Sequence, residues 1–282
     1  MELRHRSGSF NYSSDSRNDT LFTVNSIESA SKWGYSTVQH LNVRVTDMPT
    51  MFSNCTLNDE AVQLTLPEWV SGNWLMKKDI GPMPHANRVK SLLTKIREVY
   101  IASTTLSEMY VDGFMSTLLH ILCFDDYPCL LYPQYTYSTQ IGPRNHTVHA
   151  QSDFSILSHK HQILLVIEDK TTSNANLTNN WKEDQVLGEL FVAVHQAKQF
   201  PASVYAIRVV GTLFTFYKAV ATEEYILETA KMGKAVKNEM VVQRYPLVKK
   251  GVQLTAYNIC NVDDRKRILE CMCFIKNSTT HE

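Results

Sequence analysis

Two short segments hold carboxylates and an amine at a spacing suited to phosphoryl-transfer chemistry. The first is Ser152-Asp153-Phe154-Ser155-Ile156-Leu157. The second, Ile163-Leu164-Leu165-Val166-Ile167-Glu168-Asp169-Lys170, is an aliphatic run that ends in three charges. Such a run reads as a buried strand, and side chains alternate along a strand, so Glu168 and Lys170 share one face while Asp169 turns to the other. Asp153 lies 15 residues before Glu168. If the two segments are hairpin neighbours, Asp153 approaches Glu168, and two carboxylates beside an ammonium make a site for a hard divalent cation such as Mg²⁺ or Mn²⁺. The lysine can then orient or deprotonate an attacking water, or offset charge that develops at phosphorus.

Several elements must position these residues. Pro84 to Ile101 carries Val89, Leu92, Leu93 and Ile96 at helical spacing, and a second apolar helix is expected from about Thr105 to Phe124. Three strand-like segments follow: Leu130 to Ile141, Val148 to Leu157 and His161 to Lys170. Leu187, Leu190, Phe191 and Val194 then form a helical stripe, with Asn180 and Glu183 placed like a capping box. Ser203 to Val210 and Thr212 to Ala219 read as strands around Gly211, and Asp263 to Ile275 as a helix. Residues 7–36, rich in Ser, Asn and Asp, read as a tail or loosely docked arm. From about 40 to 82 the pattern is ambiguous, with Val62-Gln63-Leu64-Thr65-Leu66 alternating like a strand. The expected division is an N-terminal arm and irregular region over 1–82, a core over 83–219 and a basic extension packed on that core over 220–282.

Asp153 and Glu168-Asp169-Lys170, within the order helix, strand, strand, strand, helix, strand, resemble the PD-(D/E)XK nuclease superfamily, whose pattern is an acid followed by (D/E)-x-K at a strand end. Ser152 stands where that pattern often has proline. The resemblance covers roughly Thr104 to Ala219 and implies an α/β fold, a mixed central sheet with an αβββαβ restriction-endonuclease-like core flanked by helices. It implies metal-dependent hydrolysis of phosphodiester bonds in DNA or RNA, with Mg²⁺ or Mn²⁺ as cofactor and a nucleic acid as partner. It also implies a further metal-binding or supporting acid on the first helix, matched by Glu108 with Asp112 one turn on. Polar residues facing the site from the second helix are matched by Gln185 and Glu189. The combination is similar to restriction-nuclease-like proteins of fungi, including those of mobile elements and Crinkler-type effectors. The expected site is therefore Asp153, Glu168, Lys170 and Gln185, with Glu108, Asp153 and Glu168 on the metal. The alternative is a catalytically inactive nuclease-like module that binds nucleic acid or a partner.

Other readings compete for the same residues. Asp264-Arg265-Lys266 repeats the acid-x-lysine triplet but lacks a preceding apolar strand, so it reads as a solvated helix face. Thr105-x-x-Glu108 is also a capping-box pattern. His146, His149, His159 and His161 read as hairpin-surface residues. Tyr135 and Tyr137 share a strand face and suit sheet packing better than base stacking.

Composition bounds the rest. The 282-residue chain is 44% apolar, with 28 basic and 28 acidic residues, as in an ordinary globular protein. Positive charge is in excess only over 200–282, with 12 basic against 8 acidic residues. There Lys231, Lys234, Lys237, Arg244, Lys249 and Lys250 are the densest supply of phosphate contacts. The six cysteines show no CxxC spacing and read as reduced thiols rather than a zinc site. Without a signal-like N-terminus or a membrane-length apolar run, an intracellular location, nucleus or cytoplasm, is expected. No nucleotide-hydrolysis motif occurs.

Overall fold

A computed structural model describes residues 29–48, 56–65, 79–82, 85–101, 107–175, 181–248 and 255–280. The chain is a mixed α/β protein. Its helices are α1 (Tyr35–His40), α2 (Asp59–Gln63), α3 (Asn87–Ile101), α4 (Met109–Ile121), α5 (Glu183–Val194), α6 (Glu223–Met232) and α7 (Val262–Thr280). Its strands are β1 (Val43–Asp47), β2 (Cys129–Pro133), β3 (Thr136–Ile141), β4 (His146–Gln151), β5 (Phe154–Ser158), β6 (Ile163–Lys170), β7 (Ala202–Val210), β8 (Leu213–Ala221), β9 (Met240–Tyr245) and β10 (Tyr257–Asn258).

The main sheet has eight strands in the order β1-β9-β8-β7-β6-β5-β2, with β10 on β8. β6 and β7 are parallel, as are β1 and β9, and the remaining neighbours are antiparallel. The parallel β6–β7 pair requires a crossover, which α5 supplies. β6 lies inside the sheet with both faces covered, which is why its sequence is continuously apolar rather than alternating. Leu165 and Ile167 pack on the side of α3, α4 and α7, whereas Val166 packs on the side of α5.

Two expected strands are each divided in two. Leu130 to Ile141 breaks at Gln134, whose backbone is left-handed (φ 50°), and Val148 to Leu157 breaks at Ser152-Asp153. Between the breaks, β3 and β4 form a separate two-stranded sheet against α5. The alternation over Val62–Thr65 is not a strand, and Leu66 lies outside the described residues. Asp59–Gln63 is a helical turn capped by Asn58, whose side chain accepts from the Ala61 amide at 2.8 Å, with Leu64 and Thr65 turning away from it.

Residues 29–36, expected in a loosely docked arm, are built into the fold. Ala30 and Trp33 are buried, and the Trp33 ring lies 5.2 Å from that of Phe191 of α5, tilted at 49°. The remainder of that stretch, 7–28, lies outside the described residues. Gly188 makes this docking possible. A Cβ there would stand 2.8 Å from the Trp33 ring and 3.1 Å from the Ala30 backbone. Helix propensity alone favours alanine over glycine by up to about 1 kcal/mol, but overpacking costs about 1–3 kcal/mol. Gly188→Ala is accordingly expected to lower stability by about 1 kcal/mol in urea unfolding. A gain in stability would show that the 30–33 segment does not press on α5.

Among the described residues five cysteines are free thiols, four of them buried, and Cys55 lies outside them. No helix there is long and apolar enough to cross a membrane.

Candidate active site

The last three residues of β6 are its charges, and the neighbouring elements converge on that end. Asp153 precedes β5, and its Oδ2 accepts a hydrogen bond from the Asp169 amide at 2.7 Å, which fixes the carboxylate against the end of β6. The Lys170 ammonium lies 2.6 Å from Glu168 Oε1, 3.5 Å from Asp153 Oδ2 and 3.9 Å from Glu108 Oε1, and it donates to the Asp169 carbonyl at 2.8 Å. Three carboxylates from α4, the β5 end and β6 thus surround one cation. The expected residues Glu108, Asp153, Glu168 and Lys170 are together.

Gln185 joins them from α5. Its amide nitrogen donates to Glu168 Oε1 and, at 3.1 Å, to Glu189 Oε1. Gln185 and Glu189, expected to face the site from this helix, are both buried, at 7% and 1% exposure. One turn of helix brings both onto Glu168, which is what i, i+4 spacing provides.

Asp169 faces the opposite layer, toward α4. It is fully buried, and neither carboxyl oxygen receives a hydrogen bond from a donor group. Burial first, then the charge of Asp153 and contact with Asp112, push its pKa well above the ordinary carboxylate range.

The capping roles are not seen. Glu108 stands at the start of α4 without a side-chain cap; its Oε1 accepts from Asn174 Nδ2 at 2.8 Å. Glu183 accepts from the Tyr217 hydroxyl at 2.8 Å and from Arg244 at 3.0 and 3.2 Å. Thr105 and Asn180 lie outside the described residues.

The electrostatics suit a cation. Burial first, then the neighbouring Asp153, raise the Glu168 carboxyl to about 7, and burial also raises Asp153. Burial first, then Glu168, push Glu189 well above the ordinary range. Burial alone would lower the Lys170 ammonium, but Glu168 and Asp153 outweigh it and hold its pKa above the usual lysine value. Lys170 is therefore a permanent cation at neutral pH in this arrangement.

The sign for stability follows. The folded state keeps a proton on Glu168 at pH values where the unfolded chain has lost it, so unfolding becomes easier as pH rises from about 4.5 through about 7. Glu168→Gln removes this proton. Between pH 5 and 8, wild type should lose about 2 kcal/mol relative to that variant, at 1.36 kcal/mol per pKa unit. Parallel profiles in urea unfolding would contradict the raised carboxyl.

Among the described residues no group of three or more His, Cys, Asp or Glu is arranged to hold a metal ion by itself. Mg²⁺ does not need one, because it is usually bound by one or two carboxylates, waters and substrate phosphate. Asp153 and Glu168 fit that requirement. Glu168 Oε2 and Glu189 Oε2 are buried without a hydrogen-bond partner, so oxygen lone pairs are free at the site.

Other candidates lie elsewhere. His149, His159 and His161 are exposed on the hairpins. Arg244 is consumed by Asp47 and Glu183. Lys231, Lys234 and Lys237 are exposed on the segment that leaves β8 at Ala221 and enters β9 at Met240. The end of β8 pairs with the start of β7, and the start of β9 pairs with the end of β8, whereas Lys170 pairs with Val210 at the end of β7. That segment therefore leaves and re-enters the sheet at the end opposite Lys170. Lys249 and Lys250 lie outside the described residues. The Asp264-Arg265-Lys266 triplet is not simply a solvated face. Arg265 is buried and donates to the carbonyls of Ile259, Leu64 and Cys260, tying α7 to the α2 turn.

No protein-family model matches this chain, and no curated protein sequence is significantly similar to it.

Proposed function

We propose that the protein is a metal-dependent nuclease that hydrolyses phosphodiester bonds in DNA or RNA. The observation that carries this reading is the convergence of Asp153, Glu168 and Lys170, within 3.5 Å of the lysine nitrogen, at one end of adjacent strands. The path α4, β2, β5, β6, α5, β7, with three antiparallel strands followed by a parallel one, supports the resemblance to the restriction-endonuclease-like core.

Asp153 and Glu168 would hold Mg²⁺ or Mn²⁺, with Glu108 as the outer acid. A divalent cation there supplies a more acidic bound water and a counter-charge for the phosphate oxygens. Lys170 acts as a cation rather than a base, because its ammonium stays protonated: it positions the attacking water and stabilises negative charge at phosphorus. Gln185 holds Glu168 in place through its amide, which also donates to Glu189 one turn along the same helix.

Chelation and carboxylate variants test the assignment. EDTA, Asp153→Asn and Glu168→Gln should each abolish cleavage of plasmid DNA, single-stranded DNA or RNA. The variants should also lose the thermal stabilisation that Mn²⁺ gives wild type. Cleavage that survives EDTA would remove the metal from the reading.

A further inference from the structure

Resting on that nuclease reading, we infer that the site takes a strand with unpaired bases, and that a base near the scissile phosphate stacks on Tyr132, which Tyr135 braces from behind. The two tyrosines begin a row of aromatic contacts, the ladder. The Tyr132 and Tyr135 rings are 5.6 Å apart and tilted at 39°, and Tyr135 stacks on Tyr137 at 6.0 Å and 21°. Tyr137 is buried and its hydroxyl donates to the Glu189 carbonyl at 3.4 Å, so the ladder is anchored in the helix that carries Gln185 and Glu189. Tyr132 at the other end is 36% exposed. The inner rungs are sheet packing, and the outer one is an aromatic surface open to solvent.

Register places that surface beside the site. Tyr132 pairs with Ser155, and Ser155 pairs with Val166, two residues before Glu168 on the same sheet face. Two strand spacings across and two residues along give about 12 Å between Cα positions. A strand crosses that distance in about three nucleotides at a stacked rise of about 3.4 Å. The turn after Tyr132 is also fastened to the site, since the Gln134 amide donates to the Asp153 carbonyl at 2.8 Å.

Charge argues for the same substrate. Duplex binding that carries no sequence information draws its affinity from phosphate neutralisation by Lys and Arg. Here Lys170 is surrounded by acids, and the exposed lysines at 231, 234 and 237 belong to a segment tied to the opposite end of the sheet. A base stacked on an aromatic ring gains affinity without positive charge, and every base has a face to offer.

The test is cleavage in Mn²⁺ of one oligonucleotide sequence as single-stranded DNA, single-stranded RNA and duplex DNA, with single abasic substitutions near the cut. Anisotropy of the labelled strands without metal runs alongside. Wild type should prefer an unpaired strand. Tyr132→Ala should raise KM about tenfold or more, with Tyr132→Phe restoring it, and an abasic nucleotide within about three positions of the cut should mimic the alanine variant. Equal cutting of duplex and single strands with Tyr132→Ala unchanged would overturn the inference and leave the nuclease reading intact. Tyr132-dependent binding without cleavage would support stacking and remove the nuclease reading. Absence of both binding and cleavage would overturn both.

Discussion

Lys170→Ala is expected to lower the rate of phosphodiester cleavage by about 10³-fold or more while Mn²⁺ binding survives. The size follows from the loss of one preorganised cationic group at the reacting centre, worth about 10²–10³ in oxyanion-type stabilisation, together with loss of water positioning. Metal binding persists because Asp153 and Glu168 do not depend on the lysine for their positions: the Asp169 amide holds Asp153 and the Gln185 amide holds Glu168. Removing the ammonium also leaves more uncompensated negative charge, so Mn²⁺ should raise the melting temperature of the variant at least as much as that of wild type. Single-turnover cleavage and a Mn²⁺ thermal titration measure the two effects separately. Undiminished cleavage in the variant would remove Lys170 from the mechanism.

Arg244→Met carries the largest expected effect on stability, a loss of about 3 kcal/mol. Arg244 on β9 reaches Asp47 of β1 at 3.0 Å and Glu183 at the start of α5 at 3.0 Å, so one guanidinium ties two strands to the helix that presents Gln185. Breaking a buried pair by removing one partner costs about 3–5 kcal/mol, because the remaining charge is stranded; that applies to Glu183, whose side chain is 12% exposed, whereas the Asp47 arm, 37% exposed, adds little. Glu183 would keep only Tyr217 at 2.8 Å and Arg208 at 4.0 Å. Burial alone would raise the Glu183 carboxyl, but Arg208 and Arg244 outweigh it and hold it below its ordinary value of 4.5. Its contribution is therefore present above the unfolded-state value and lost as pH falls through the folded one. The gap between wild type and variant should narrow on acidification below about pH 4.5. Urea unfolding of both proteins at neutral and acidic pH checks the size and the sign. A variant within about 0.5 kcal/mol of wild type would show that the network adds nothing net.

Local pattern was enough to bring the candidate residues together. The unbroken aliphatic run ahead of Glu168 reads as a strand covered on both faces, and alternation then placed Lys170 with Glu168 and Asp169 with the other layer. The i, i+4 spacing of Gln185 and Glu189 marked them as a pair. Their burial was not legible, because it depends on Glu168 reaching across from β6 and on Tyr137 covering Glu189. The β3–β4 hairpin was hidden for a different reason. Its entry is punctuated by Pro133 just before the left-handed Gln134, but that proline sits inside an aromatic run that continues through Tyr135 and Tyr137, and the hairpin's exit at Ser152-Asp153 has neither Gly nor Pro to mark it. At Val62–Leu66 a period of two competed with Asn58 and the acidic pair Asp59-Glu60, and the cap with its favourable dipole charges prevailed. Glu183 could not be separated from a capping residue by sequence. Its partner Arg244 is 61 residues away, and no local rule connects them.

Everything proposed for Asp153, Glu168 and Lys170 rests on their acting as a metal-dependent phosphodiesterase. The decisive assay incubates the purified protein with single-stranded DNA, structured RNA and plasmid DNA, in Mg²⁺, Mn²⁺ or EDTA, with Asp153→Asn as the control. Wild type should cleave in the divalent metal, with no cleavage in EDTA or by the variant. Equal cleavage by wild type and Asp153→Asn, or intact substrates with every metal, would contradict it. In the second case the site would be a charged scaffold without catalytic function.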